Sequence, residues 1–322
     1  MKRHFTYIIL LSLFIAACKQ NNETIKRATM AMGTTMEVQV RGIDEETANK
    51  AINDSFAEIK RLDTLFSTYI TGNEMWRINN SESDSIVVDK EIFYILKKCG
   101  ELYKLTDGAF DPAVGNIIDI IGFEKGSPHL PSPEQIKQAL KLVGWKHVQL
   151  KEPNILIKPK HIKLSFNACI PGYAADRVAS IMSKYGINDF LVNTGGEIFA
   201  KGDNWKVGIQ HPRKRNELLN AVKIDGISIT TSGDYEQYFK KNGKRYTHIF
   251  NPVTGYPANE CEAVTIIAKD ALTSDALSTG IFVMGPEKGM ELVEKLSNVE
   301  AIIVDTTGTI QQSSGFEKYF LR

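Results

Sequence analysis

Asp275 and Thr279 are the pair of residues whose types and spacing point most directly to chemistry. They stand four apart in a stretch with helical character, so a carboxylate and a hydroxyl share one helix face. Two hard oxygen donors placed this way supply part of a Mg²⁺ shell, which backbone oxygens, waters and a substrate phosphate complete as an octahedron at about 2.0–2.1 Å. The same spacing has a purely structural use: an Asp near a helix start offsets the macrodipole, and a Thr bonds back to the preceding turn. Four further stretches are richer than plain connectors. Thr106-Asp107-Gly108-Ala109-Phe110-Asp111-Pro112 sets two carboxylates around a glycine, and also reads as a helix stop and turn. Asn193-Thr194-Gly195-Gly196-Glu197 follows a strand, where paired glycines either let backbone amides cradle a phosphate or form a hairpin turn. Thr230-Thr231-Ser232-Gly233-Asp234-Tyr235 gathers hydroxyls and amides that suit a pyrophosphate or a turn. His248 leads into the rigid turn Asn251-Pro252-Val253-Thr254-Gly255; a lone His is more often structural, and its placement raises the catalytic reading only modestly.

The elements that must position these residues follow from periodicity. Thr35 to Val40 alternates as a strand. Ile52, Phe56, Ile59, Leu62 and Phe66 recur at helical spacing, and Ile92 to Tyr103 repeats the pattern in a second helix closed by Gly108. Ser132 with Gln135 forms a capping box, with Pro133 at the first helical position, opening a third helix that runs to Gly144. A fourth spans about Gly172 to Tyr185. Runs at Phe190 to Asn193, Trp205 to Gln210, Ile227 to Thr231 and Val264 to Ala268 are short and bounded by Gly, Asn or Asp, as strands are. Helices from about Ala271 to Val283 and Pro286 to Leu296 precede two closing strands, Ala301 to Val304 and Thr309 to Gln312. This irregular interleaving predicts an α+β fold, with mixed, largely antiparallel sheets packed with helices, rather than a doubly wound parallel sheet.

Composition narrows the function classes. The chain has 322 residues and a formal net charge of +1, so no field argues for nucleic acid or an anionic membrane surface. Its basic cluster, Arg213-Lys214-Arg215, reads as a solvated loop. The signatures G-x-G-x-x-G, Walker A, H-E-x-x-H and G-x-S-x-G are absent. Lys2, Arg3 and His4 precede an apolar run from Tyr7 to Ala17 that is too short to span a bilayer and fits a signal-peptide core. It ends in Ile15-Ala16-Ala17-Cys18, which resembles the lipobox of bacterial lipoproteins; that resemblance implies lipidation of Cys18 and removal of residues 1–17. Lys19 to Arg27 is polar and aperiodic, and residues 18–28 read as a tether. Cys99, Cys169 and Cys261 form no C-x-x-C pair and read as buried, inert thiols.

In their order along the chain these stretches resemble the FAD:protein FMN transferase (ApbE) family. The resemblance covers nearly all of the mature chain, from Met32-Gly33-Thr34 onward. It runs through Leu62-Asp63-Thr64-Leu65-Phe66-Ser67-Thr68-Tyr69, Thr106 to Pro112, Gly172-Tyr173-Ala174-Ala175-Asp176 and Asn193 to Glu197. It continues with Thr231 to Tyr235, His248 to Pro257 and Ser274-Asp275-Ala276-Leu277-Ser278-Thr279. It implies an ApbE-like (T-fold-like) single flavin transferase domain over 29–322. Members bind FAD, use Mg²⁺ to polarise its pyrophosphate, and move FMN onto a Thr or Ser of a target protein with release of AMP; some hydrolyse FAD to FMN and AMP instead. Targets include membrane-bound redox complexes and other exported flavoproteins.

Residue by residue, the resemblance implies a metal at Asp275, Thr279 and the Ala168 carbonyl. It implies FAD contacts at Met32, Tyr69, Ala109, Phe110, Asp111, Ser165, Pro171 and Ile249. His248 matches a residue proposed to deprotonate the acceptor hydroxyl, which makes His248 and Asp275 the expected catalytic pair. Phosphoryl transfer is mostly positioning and charge neutralisation, so this set agrees with the chemistry. The sequence departs from frequent family residues at Pro171 (Lys), Ser165 and Asn251 (Asp) and Asn73 (Ser). The expectation is a Mg²⁺-dependent FMN transferase with FAD as substrate, an exported or membrane-bound acceptor protein, and a lipid anchor on the extracytoplasmic side of a membrane. A Mg²⁺-dependent FAD pyrophosphatase, a non-catalytic flavin-binding lipoprotein and a structural lipoprotein are the alternatives.

Overall fold

The computed structural model describes residues 23–123 and 126–321, so Cys18 and the apolar run before it lie outside the described residues. The described chain opens with a hairpin, β1 (Ile25–Ala31) and β2 (Thr34–Val40). Its turn, Met32-Gly33, has φ of 50° and 77°, the left-handed pair that matches a two-residue loop to strand twist. Residues 25–28 therefore belong to a strand and not to a tether: Ile25 is buried and pairs with Val40, a long-range contact that local polarity hides.

Helix α1 (Glu45–Phe66) follows, capped by the Asp44 carboxylate on the Thr47 N–H, and buries Ile52, Ile59, Leu62 and Phe66 as their spacing predicts. After α2 (Glu74–Asn79) and β3 (Ser85–Val87) comes α3 (Lys90–Leu105). Next are α4 (Gly115–Ile121) and α5 (Pro133–Leu140), the latter with the predicted capping box. Helix α5 stops at Leu140, short of the expected Gly144, because Gly144 at φ 126° instead opens a 3-10 turn over Trp145–His147. Strands β4 (Gln149–Lys151) and β5 (Ile155–Ile157) join β3 in a small three-stranded sheet, and α6 (Ile170–Lys184) ends this part of the chain. The three-residue strands are too short to carry a readable alternation.

The remainder is β-rich. Strands β6 (Phe190–Asn193) and β7 (Ile198–Lys201) form a hairpin, as do β8 (Trp205–Gln210) and β9 (Leu218–Ile224). Then come β10 (Ile227–Gly233), the hairpin β11 (Tyr238–Lys241) and β12 (Lys244–Thr247), and β13 (Cys261–Ala268). Helices α7 (Ala271–Met284) and α8 (Pro286–Val293) lead to β14 (Glu300–Asp305) and β15 (Ile310–Gln312).

The main sheet has eight strands in the order β1-β2-β6-β7-β10-β13-β14-β15. Its pairings are all antiparallel, so the fold is α+β. One face carries α1, α6 and α7 over the main core. The other is covered at β10, β13 and β14 by the β8–β9 hairpin and Phe316, which enclose Trp205, Val207, Ile229, Ile267 and Ile302. Every residue of β13 is buried because that strand is covered on both faces. Cys99, Cys169 and Cys261 are all free and buried, with the sulfurs of Cys99 and Cys169 3.7 Å apart.

Candidate active site

A cavity of about 640 Å³ opens where the β1–β2 turn, the start of α6, α7 and the segment after β12 meet. All of the residues matched from sequence line it: Met32 at the hairpin tip, Tyr69 at the rim, Ala109 to Asp111, Ser165, Ala168 and Pro171, then His248, Ile249, Asp275 and Thr279. Val114, Ile118, Phe123 and Phe250 make one part of its wall apolar, while Thr194, Thr231, Ser232, Asp275 and Thr279 make another polar.

The polar wall is built by a close helix crossing. The Gly172 N–H, one of the free donors in the first turn of α6, donates to Asp275 Oδ2 at 3.0 Å. A Cβ on Gly172 would sit 2.2 Å from the Ala271 carbonyl oxygen and 2.8 Å from Asp275 Cβ, so only glycine permits this approach. Asp176, one turn further along α6, accepts from the N–H groups of Ala271 (2.7 Å) and Leu272 (3.0 Å) and thereby caps α7 from outside. Burial pushes its carboxyl up to about 7. The hydroxyls of Thr230 to Ser232 belong to β10 and not to a turn. Thr230 Oγ1 lies 2.8 Å from Ser274 Oγ, and Ser232 Oγ lies 2.7 Å from Ser278 Oγ. These bonds clip α7 to the sheet and aim Asp275 and Thr279 into the cavity.

Among the carboxyl groups that line the cavity, Asp275, Glu197 and Glu236 act on one another. Burial raises Asp275 well above the ordinary carboxylate range, with Cys169, Glu236 and Asp176 adding to it. Burial also raises Glu197, helped by Asp275, and lifts Glu236 to about 8, helped by Glu197. Glu236 is reached by solvent through the cleft mouth, yet protein atoms ring it closely enough to disfavour its charge.

The two glycine turns have structural roles. The N–H groups of Gly195 and Gly196 donate to Asn193 Oδ1 at 3.1 and 2.9 Å, which makes Asn193 to Glu197 a hairpin turn and occupies the amides that a phosphate cradle would need. A Cβ on Gly195 would meet Thr34 Cγ2 at 2.7 Å, so this glycine lets the two turns pack side by side. Asp107 (φ 49°) and Gly108 (φ 81°) terminate α3, and the Gly108 N–H donates to the Tyr103 carbonyl at 2.8 Å. The Asp111 carboxylate accepts from the N–H groups of Ala113 (2.7 Å) and Trp145 (3.0 Å), tying this turn to the 3-10 segment. The Ser165 hydroxyl is buried on the cavity wall with no hydrogen-bond partner among the described residues.

His248 sits on a strap formed by β11 and β12. Its Nδ1 lies 3.2 Å from the Gln237 carbonyl, which can only accept, so the proton is assigned to Nδ1 and Nε2 is left as an acceptor. Burial lowers its pKa, which favours the neutral ring, and the Phe123 ring packs edge-on at 6.4 Å. Arg213 anchors the strap: it donates to both oxygens of Asp234 at 2.7 and 2.8 Å, and Arg245 on β12 reaches the same carboxylate at 2.9 Å. The basic cluster does lie in an exposed loop, but Arg213 has fixed partners there: it also pairs with buried Glu262 at 2.8 Å. Asn251 Oδ1 accepts from Val253 and Thr254, which fixes the turn beyond His248.

Reading the sequence did not assign roles to Gly172, Asp176, Glu197 or Glu236. Gly172 and Asp176 stand in a stretch already singled out, but their partners lie about a hundred residues away, at separations of 103 and 95.

Residues 32–303 match the ApbE family. A Haemophilus influenzae FAD:protein FMN transferase is 30% identical, with 96% of this chain and 95% of that protein covered. The Escherichia coli K12 protein of the same name is 32% identical over 92% and 91%. The crystal structure of the ApbE protein of Thermotoga maritima superposes with a TM-score of 0.87 at 30% identity, over 93% of this chain and all (100%) of that one. The flavin transferase ApbE of Vibrio cholerae gives 0.83 at 27% identity, over 92% and 99%.

Proposed function

We infer the activity from one premise: the chain belongs to the ApbE family. It is a flavin transferase, with FAD as its flavin donor and a protein as its acceptor, like the relatives that it matches over nearly their whole length. The finer reading is that the reaction depends on Mg²⁺, joins FMN to a Thr or Ser oxygen as a phosphoester, and releases AMP. The observation that carries it is convergence: Ala168 before α6, His248 after β12, and Asp275 and Thr279 on α7 line a single cavity.

Mg²⁺ fits the donors present. Asp275, Thr279 and the Ala168 carbonyl are hard oxygen ligands, and no His or Cys competes among them. Burial and acidic neighbours disfavour the Asp275 charge, and a divalent cation relieves that cost. When bound, the ion neutralises charge on the FAD pyrophosphate. The chain's own residues do the rest. The apolar wall around Ile118, Phe123 and Phe250 receives a flat ring and excludes water. The Ser165 hydroxyl is open to a ligand oxygen or nitrogen. His248 Nε2 takes the proton of the acceptor hydroxyl as that oxygen bonds to the FMN phosphorus and the bond to AMP breaks.

Cys18 lipidation would hold the enzyme on the extracytoplasmic face of a membrane, where exported acceptors pass. Replacing Cys18 by Ser then moves the protein from the membrane fraction to the soluble one; continued membrane retention removes the anchor from this reading. The activity is tested by incubating the protein with FAD, MgCl₂ and the exported proteins of its own cells. An acceptor that gains the mass of FMN, with AMP released in step, is the expected result. AMP released to the same extent without any acceptor would instead identify a pyrophosphatase. Tight FAD binding with no AMP under any condition would identify a carrier.

A further inference from the structure

We propose that β1 is the acceptor-docking edge: the target protein adds an extended segment to this strand, which delivers its Ser or Thr to the cavity. The proposal rests on the transferase reading above. That activity requires a chain from another protein to enter the cavity, and among the described residues β1 is an outer strand of the main sheet whose turn, Met32-Gly33, lines that cavity.

The register identifies the backbone groups on offer. In a two-residue hairpin the closing pair, here Ala31 and Thr34, exchanges both hydrogen bonds, and bonded pairs then alternate along the strands. Thr29, Arg27 and Ile25 therefore bond to β2, and Lys26, Ala28 and Met30 turn their N–H and C=O groups outward. A bond on the far side of β2 agrees: the odd-numbered Arg41 donates to the Asp189 carbonyl beside β6, which leaves the even positions of β2 for β1.

Natural edge strands are blunted by charge, proline, bulges or shortness. The opposite edge, β15, has 3 residues. Strand β1 has 7 residues, with an unbroken register and no proline. Its charges sit at the end far from the cavity, where Lys26 pairs with Glu37 and Arg27 with Glu45, and the Arg27 guanidinium covers the Lys26 carbonyl. The half that leads to the cavity, Ala28 to Ala31, is uncharged, with Ala28 and Met30 exposed. Added strands of this kind bind through the main chain, so one edge accepts different sequences that share an uncharged, extended stretch next to the hydroxyl.

Ala28→Pro is the test, because it removes only an outward N–H, the one position type where an edge strand tolerates proline. The probe is the acceptor identified by its FMN mass gain, used intact for transfer and with its modified Ser or Thr changed to Ala for binding. Transfer should fall by about tenfold or more while FAD affinity and melting temperature stay as in the parent. In the parent, amide hydrogen exchange at Ala28 and Met30 should slow when the Ala form of the acceptor is added. Undiminished transfer by a folded Ala28→Pro protein, or unchanged exchange at those amides, overturns the docking edge and leaves the transferase reading standing. If Ala28→Pro does not fold, the exchange measurement alone decides. Protection that rises with enzyme concentration and needs no acceptor shows that a second copy of the chain occupies the edge, and also overturns it. Finding no acceptor with any FMN gain removes both this inference and the reading beneath it.

Discussion

The α6–α7 wall and the His248 strap face each other across one cavity, yet they are built on opposite principles. On the wall, Asp275 is held by a helix crossing that only Gly172 permits, by a remote cap from Asp176 and by hydroxyl clips to β10, all within the main core. On the strap, His248 depends on one backbone carbonyl, an aromatic edge and an ion-pair knot at Asp234 that stays partly open to solvent. On the reading proposed above the wall would hold a metal, whose coordination tolerates errors of only a few tenths of an ångström, and this wall is fixed by contacts with the core. On the same reading His248 would be a base that meets an incoming protein, which needs proton-accepting geometry more than rigidity.

If this contrast is right, changes on the wall act in an all-or-none way and changes on the strap are graded. Asp275→Ala should abolish transfer, a loss of about a thousandfold or more, as expected where charge neutralisation is the main catalytic device. AMP release at the parental rate would detach Asp275 from the chemistry. His248→Ala should slow transfer by about 10²–10⁴-fold with little change in FAD affinity, the range for a general base. The same assignment fixes a pH sign: the base works when neutral, and burial lowers its pKa. Transfer should therefore hold as pH falls through the ordinary imidazole range near 6.5 and decline only below it. A rate that rises on acidification contradicts the role.

Gly172→Ala should destabilise the fold by about 1–3 kcal/mol, since an added Cβ meets backbone that cannot yield, and should lower the affinity for Mg²⁺. An unchanged melting temperature would show that the crossing is looser than its distances imply. Arg213→Ala is the mildest change. The Arg213 side chain is 37% exposed and that of Asp234 16%, so roughly 1 kcal/mol of stability and a severalfold loss of transfer are expected, with less difference from the parent at high salt. A loss as complete as that of Asp275→Ala would erase the distinction between the two regions.

Local spacing made much of the architecture legible. The helical repeat of α1, the capping box of α5 and the alternation of β2 each express a dihedral pattern that recurs within a few residues. The same logic set Asp275 and Thr279 on one face of α7, and the family resemblance supplied further cavity residues such as Met32, Tyr69, Ser165 and His248, but not the roles of Glu197 and Glu236. The three-residue strands β3, β4 and β5 and the strand character of Ile25 to Ala28 were not legible, because they exist only through pairing with distant segments.

The helical repeats of α1 and α3, the capping box of α5, the α+β class and the shared face of an acid and an alcohol were determined by the amino-acid sequence alone, since each depends on neighbours in the chain. Only the tertiary structure decided that Gly172 must lack a side chain, that Asp176 caps a helix 95 residues on, and that Arg213 in its exposed loop ties down the Asp234 carboxylate. Those assignments depend on which surfaces meet after folding, and backbone amides and carboxylates carry no label of the distant partner they will find.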